Sequence, residues 1–163
     1  LPRVQTIRVP RDPDPAHSLE SGSLFQPIES RMFLSPSAPT STAWAVIRAT
    51  VVEEESGKGV GGALILVLRV SDGQVLARGL ADGRGEALIA VPGIPVTTWE
   101  TSSESVLGTE VEVQVEVVAD PAGGNVPNPD VLEANRESLP RKQVGVKLAS
   151  GRTVVRTLAV ALS

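Results

Sequence analysis

Few side chains in this chain of 163 residues could make or break a bond. There is one histidine, His17, and neither cysteine nor tyrosine. A histidine base needs a group to orient it and a nucleophile to act on. The stretch Pro15-Ala16-His17-Ser18 offers it no partner, so His17 reads as a surface histidine. Serines are plentiful, but the only imidazole that could activate one lies near the N-terminal end. A serine–lysine pair would have to use Lys58, Lys142 or Lys147, and none of these follows a serine at the S-x-x-K spacing. Without cysteine, disulfides, thiolate metal sites and thiol catalysis are excluded. Gly57-Lys58-Gly59-Val60-Gly61-Gly62 is no phosphate cradle, because its lysine falls between glycines and no helix follows. The expectation is therefore no catalytic residue and no cofactor.

Oxygen donors gather twice. Asp120, Asn125, Asn128 and Asp130 crowd a Gly/Pro loop, and Glu53-Glu54-Glu55 forms a second acidic group. A hard cation takes about six to eight oxygens. No calcium-loop spacing occurs, so Asp120, Asn125 and Asp130 stand as calcium candidates against a default of solvated loop residues. Fifteen basic against nineteen acidic side chains give a net charge of −4, and only four aromatics are present. Nucleic acid is disfavoured on both counts, and aromatic platforms for sugars are equally scarce. Trp44 opens a core strand and should be packed, whereas Trp99 follows two threonines in a loop and could be an exposed anchor. No apolar run is long enough to span a bilayer, the longest being Ala63 to Leu68. The opening Leu1-Pro2-Arg3 shows no signal-peptide pattern, and the compartment stays open.

The elements that must position these groups divide the chain. Residues 1–43 are rich in proline and serine and carry four arginines against four acids, which reads as an extended arm. Arg3 to Val9 could add an edge strand, and Leu24, Phe25, Ile28, Met32, Phe33 and Leu34 could clip the arm to its own domain or to a neighbour. Residues 44–163 read as the body. Trp44 to Glu53 alternates as a half-buried strand, and Ala63 to Leu68 is apolar on both faces. Asp72-Gly73 signals a hairpin turn before Gln74 to Leu80, and Asp82-Gly83-Arg84-Gly85 a turn before Glu86 to Val91. The glycine-rich loop at 57–62 reads as a mobile hairpin loop.

Val111, Val113, Val115 and Val117 alternate with Glu112, Gln114 and Glu116, predicting one buried and one wet face. Asn128-Pro129 has the form of an N-cap followed by proline, opening a short helix to about Ser138. Lys142 to Ala149 and Arg152 to Leu162 read as a closing hairpin around Ser150-Gly151. Residues 100–120 hold six acids and no base, and residues 136–163 hold six bases against Glu137 alone. The Val111 strand should therefore lie beside the C-terminal strands. The predicted fold is all-β: a seven- to eight-stranded immunoglobulin- or transthyretin-like β-sandwich with a Pro-rich arm and one short helix.

The run Ile47-Arg48-Ala49-Thr50-Val51, Gly57, Gly61-Gly62-Ala63, Gly79-Leu80-Ala81-Asp82-Gly83-Arg84-Gly85 and Val91-Pro92-Gly93 resembles the carboxypeptidase regulatory-like domain. That family has a transthyretin-like (prealbumin-like) sandwich, and the resemblance covers roughly residues 45–118. Glu86-Ala87 stands where the family has an aromatic, and Ile94 where it has a tyrosine. Enzymes on this sandwich that hydrolyse ureide rings use several histidines with a C-terminal tyrosine motif, which this chain lacks. With these departures and so few reactive side chains, the sequence is read as a non-enzymatic β-sandwich module of bacterial type with a binding or structural role. Alternatives are an accessory part of a phage-like contractile tail or other large assembly, and a small hydrolase with an unrecognised site. Partners would be a protein or a second copy, met through the arm or a sheet edge, with Ile7, Phe25, Phe33 and Trp99 as contact residues.

Overall fold

Two-residue periodicity decides the architecture. The structure, a computed structural model, describes residues 11–20, 22–27, 31–95, 110–122 and 128–162. The chain divides into two units, Leu1–Met32 and Phe33–Ser163. Among its described residues the larger holds seven strands: β1 (Ala45–Glu53), β2 (Leu64–Arg69), β3 (Val75–Leu80), β4 (Glu86–Val91), β5 (Val111–Val118), β6 (Arg141–Leu148) and β7 (Thr153–Val160). One α-helix among the described residues, α1 (Pro129–Ala134), lies between β5 and β6. The strands form a three-stranded sheet, β4-β1-β7, and a four-stranded sheet, β3-β2-β5-β6. The predicted all-β sandwich with one short helix is the fold observed.

The residues that alternate inward build one core: Ile47 and Val51 from β1, Ile65 and Val67 from β2, Ile89 from β4, Val113, Val115 and Val117 from β5, Leu148 and Leu158. Burying each large aliphatic side chain is worth about 1.5–3 kcal/mol, so this layer dominates stability. Strand β2 is apolar on both faces because a second cluster lies behind it. Leu64, Leu66 and Leu68 pack there with Leu80, Val118 and Leu132 of α1, and Phe33 joins them. The helix is fixed by its cap, the Asn128 side chain accepting from the amides of Asp130 and Val131 at 3.0 and 3.4 Å. Pro129 fills the first turn as the sequence predicts, though the α-helix ends at Ala134 rather than near Ser138.

On that outer face the pairing aligns Arg78, Leu66, Glu116 and Gln143 in one row across four strands. Arg78 donates to both carboxylate oxygens of Glu133 on α1, at 2.8 and 2.7 Å, pinning helix to sheet. This pairing pushes the guanidinium pKa of Arg78 further up, with burial opposing it. Glu116 is buried, accepts from Gln143 Nε2 at 2.7 Å, and has Arg141 at 3.9 Å from its other oxygen. That other oxygen has no hydrogen-bond partner among the described residues. The expectation of a wet face along all of β5 is thus corrected: its second half is covered on both sides.

Three further expectations change. The two C-terminal strands are not a hairpin: β6 pairs with β5 in one sheet, and β7 pairs in parallel with β1 in the other. The Ser150-Gly151 turn is a corner between sheets, and a corner has the same local sequence as a hairpin turn. The charge argument holds for β6, where Lys147 lies 3.8 Å from Glu112. Trp44 is not packed in the core but partly exposed at the mouth of β1. The glycine-rich segment is no loose hairpin loop. Gly59 bridges to Val52, and Val60 N donates to Val51 O at 2.9 Å. A Cβ on Gly59 would collide with the Arg84 carbonyl, so this turn is wedged against the next.

Candidate functional site

The smaller unit brings together the side chains with the most chemistry. Asp14 caps a 3-10 turn, Pro15–His17, by accepting from Ala16 N at 2.9 Å. Proline at the first position has no amide to leave unsatisfied and a φ preset for the turn. The chain then coils in successive turns, His17 O accepting from Glu20 N at 2.9 Å and Glu20 O from Ser23 N at 3.0 Å. A parallel bridge between Asp12 and Ser23 closes the loop, with Asp12 N donating to Gly22 O at 3.2 Å and Leu24 N to Asp12 O at 2.9 Å. Ser23 is fully buried, and its hydroxyl accepts from Phe25 N at 3.2 Å.

This folding sets His17 against a carboxylate. Its Nδ1 lies 2.8 Å from Asp12 Oδ2. An ionised carboxylate can only accept, so Nδ1 donates to it, and in the neutral imidazole the free lone pair is then on Nε2. Asp12 Oδ1 accepts from Asp14 N at 2.9 Å. That backbone bond, then the bond from His17, holds the Asp12 carboxyl below the ordinary carboxylate range. Glu20 completes the group: ligand-capable atoms of Asp12, His17 and Glu20 all lie within 4.8 Å of one another.

The residues singled out from the sequence are placed differently. Ile7, Trp99 and Asn125, and the possible edge strand from Arg3 to Val9, lie outside the described residues. Asp120 closes its own turn, Oδ1 accepting from Ala122 N at 2.9 Å, and Asp130 stands in the first turn of α1. Phe25 is exposed, and Phe33 packs against the cluster under α1. Sequence reasoning dismissed His17 for want of a partner and did not single out Asp12 or Glu20. The signal was present in Asp12-Pro13-Asp14-Pro15, where an N-cap and proline announce a turn that returns His17 toward Asp12.

The larger unit by itself defines a seven-stranded, two-sheet β-sandwich among the described residues. No family model matches the chain, and no curated protein matches it. Among solved structures it is similar to a 5-hydroxyisourate hydrolase of Klebsiella pneumoniae, at 12% identity and a TM-score of 0.41, over 72% of this chain and 91% of that one. The expectation of a non-enzymatic binding or structural module is corrected to one that nothing here supports: a solved structure to which the chain is similar is that of an enzyme. The premise behind that expectation also fails, since His17 has the carboxylate partner it was denied. No helix among the described residues is long and apolar enough to cross a membrane.

Proposed function

We propose that the chain is a small hydrolase in which His17, oriented by Asp12, is the general base. The observation that carries this reading is the 2.8 Å approach of Nδ1 to Asp12 Oδ2. It fixes the tautomer of the neutral imidazole, leaves Nε2 as its basic nitrogen and stabilises the imidazolium that forms when Nε2 takes a proton. Water is the nucleophile in this scheme: Nε2 removes its proton as oxygen attacks a carbonyl carbon, and the imidazolium returns the proton to the leaving group. The buried Ser23 hydroxyl is directed at the chain's own backbone and takes no part.

The full chain, assayed on a panel of simple esters, amides and cyclic imides, should hydrolyse at least one class. Asp12→Asn and His17→Ala should each lower that rate by about a hundredfold or more. A rate unchanged in His17→Ala, or no turnover across the panel, refutes the reading. The likeness of residues 45–118 to the carboxypeptidase regulatory-like family belongs to this proposal as a statement of ancestry. It is supported by turn glycines at 57, 62, 85 and 93, all with positive φ. A contact between copies would use the edge strand β7, which shows Val155 to solvent.

A further inference from the structure

We propose that Asp12, His17 and Glu20 form a binding site for a divalent transition-metal ion of the zinc type, and that the ion silences His17 as a base. The inference rests on the hydrolase reading only for its second half. Asp12 and His17 alone suffice for a proton relay, so the third side chain is what needs explaining. The Glu20 carboxylate has no hydrogen bond or ion pair among the described residues, yet it converges with the other two within 4.8 Å. Two carboxylates share this corner, and among the described residues no lysine or arginine is paired with either. A divalent cation held by all three side chains would neutralise both carboxylates.

The donor set selects the metal. One imidazole nitrogen with two carboxylate oxygens suits zinc, cobalt or nickel, whereas calcium requires an all-oxygen shell. Around a tetrahedral zinc at about 2.0–2.1 Å, ligand atoms sit about 3.3 Å apart. Asp12 and His17, now 2.8 Å apart, must separate slightly, and Glu20, within 4.8 Å of both, must settle at the same spacing. His17 and Glu20 are exposed and free to make such rotamer changes. Three protein ligands leave a fourth position open.

Binding has a proton consequence. The ion takes the Nδ1 lone pair, so the Nδ1 proton is lost to solvent while Nε2 gains one, and the neutral imidazole changes tautomer without net release. Nε2, the base of the hydrolytic scheme, is then blocked. Because His17 is the only histidine, a single imidazole spin system reports the exchange.

The test titrates untagged full-length chain with zinc chloride by calorimetry and follows the imidazole nitrogens by NMR. The expected result is one ion per chain at micromolar affinity or tighter, a switch of the proton from Nδ1 to Nε2, and affinity weakened at least about tenfold in Glu20→Gln. Wild-type affinity in Glu20→Gln, or an unmoved tautomer on adding zinc, overturns the site. Zinc binding that leaves hydrolysis undiminished overturns the silencing. If zinc binds as described but the metal-free chain hydrolyses nothing, the site stands and the hydrolase reading falls. If His17→Ala abolishes hydrolysis while zinc does not bind, the reverse holds.

Discussion

Gly85→Ala should be far more damaging than Gly73→Ala, although both glycines have positive φ, 85° and 69°. A Cβ in the left-handed region costs about 1–2 kcal/mol. Restricting the unfolded chain returns about 0.4–1 kcal/mol of that. Nothing lies within 4 Å of a Cβ built on Gly73, so its net cost should be about 1 kcal/mol. At Gly85 the same atom meets Val60 N at 3.0 Å, Gly59 Cα at 3.2 Å and, closer than either, the Val51 carbonyl oxygen. All three are backbone atoms and cannot rotate away. The bond from Val51 N to Gly85 O, 2.7 Å, would have to shift with them. Overpacking adds about 2 kcal/mol, bringing Gly85→Ala to about 3 kcal/mol. In urea, with a slope of about 2 kcal/mol/M, the two midpoints should differ by about 1 M. Midpoints within about 0.3 M of each other would refute the claim that the two turns are wedged together.

The Arg78–Glu133 pair should show a coupling of about 1 kcal/mol in a double-mutant cycle of alanine variants, modest because the side chains are 32% and 22% exposed; zero coupling would mean that the pair does not hold α1 to the sheet. Glu116→Met should be neutral or stabilising by about 1 kcal/mol, since it removes a buried carboxylate with one unsatisfied oxygen, and a loss above about 2 kcal/mol in chemical denaturation would count against the burial described. Leu132→Ala should cost about 2–5 kcal/mol by the same measurement, because this is the side chain through which α1 enters the second cluster; an effect under about 0.5 kcal/mol would place the helix off the sheet.

The strands were legible because each has a local signature. The alternation of Val111 to Val117, the double-faced run Leu64 to Leu68, and the Asp72-Gly73 turn all declare themselves without neighbours. The cap of α1 was equally readable, since Asn128 and Pro129 act on amides within three residues. The partners of β6 and β7 were not. A turn at Ser150-Gly151 can fold one strand back on another or carry the chain across to the opposite sheet, and local spacing is the same in both.

The sequence by itself determined the all-β architecture, the short helix and the exclusion of thiol chemistry, because these depend on side-chain period, capping and inventory. Only tertiary structure decided that β7 runs parallel to β1, that Glu116 is buried beneath a charged neighbour, and that Asp12 and Glu20 converge on His17. Those outcomes depend on where backbone turns deliver residues that are not adjacent in the chain, and a carboxylate reads the same in sequence whether it faces water or an imidazole.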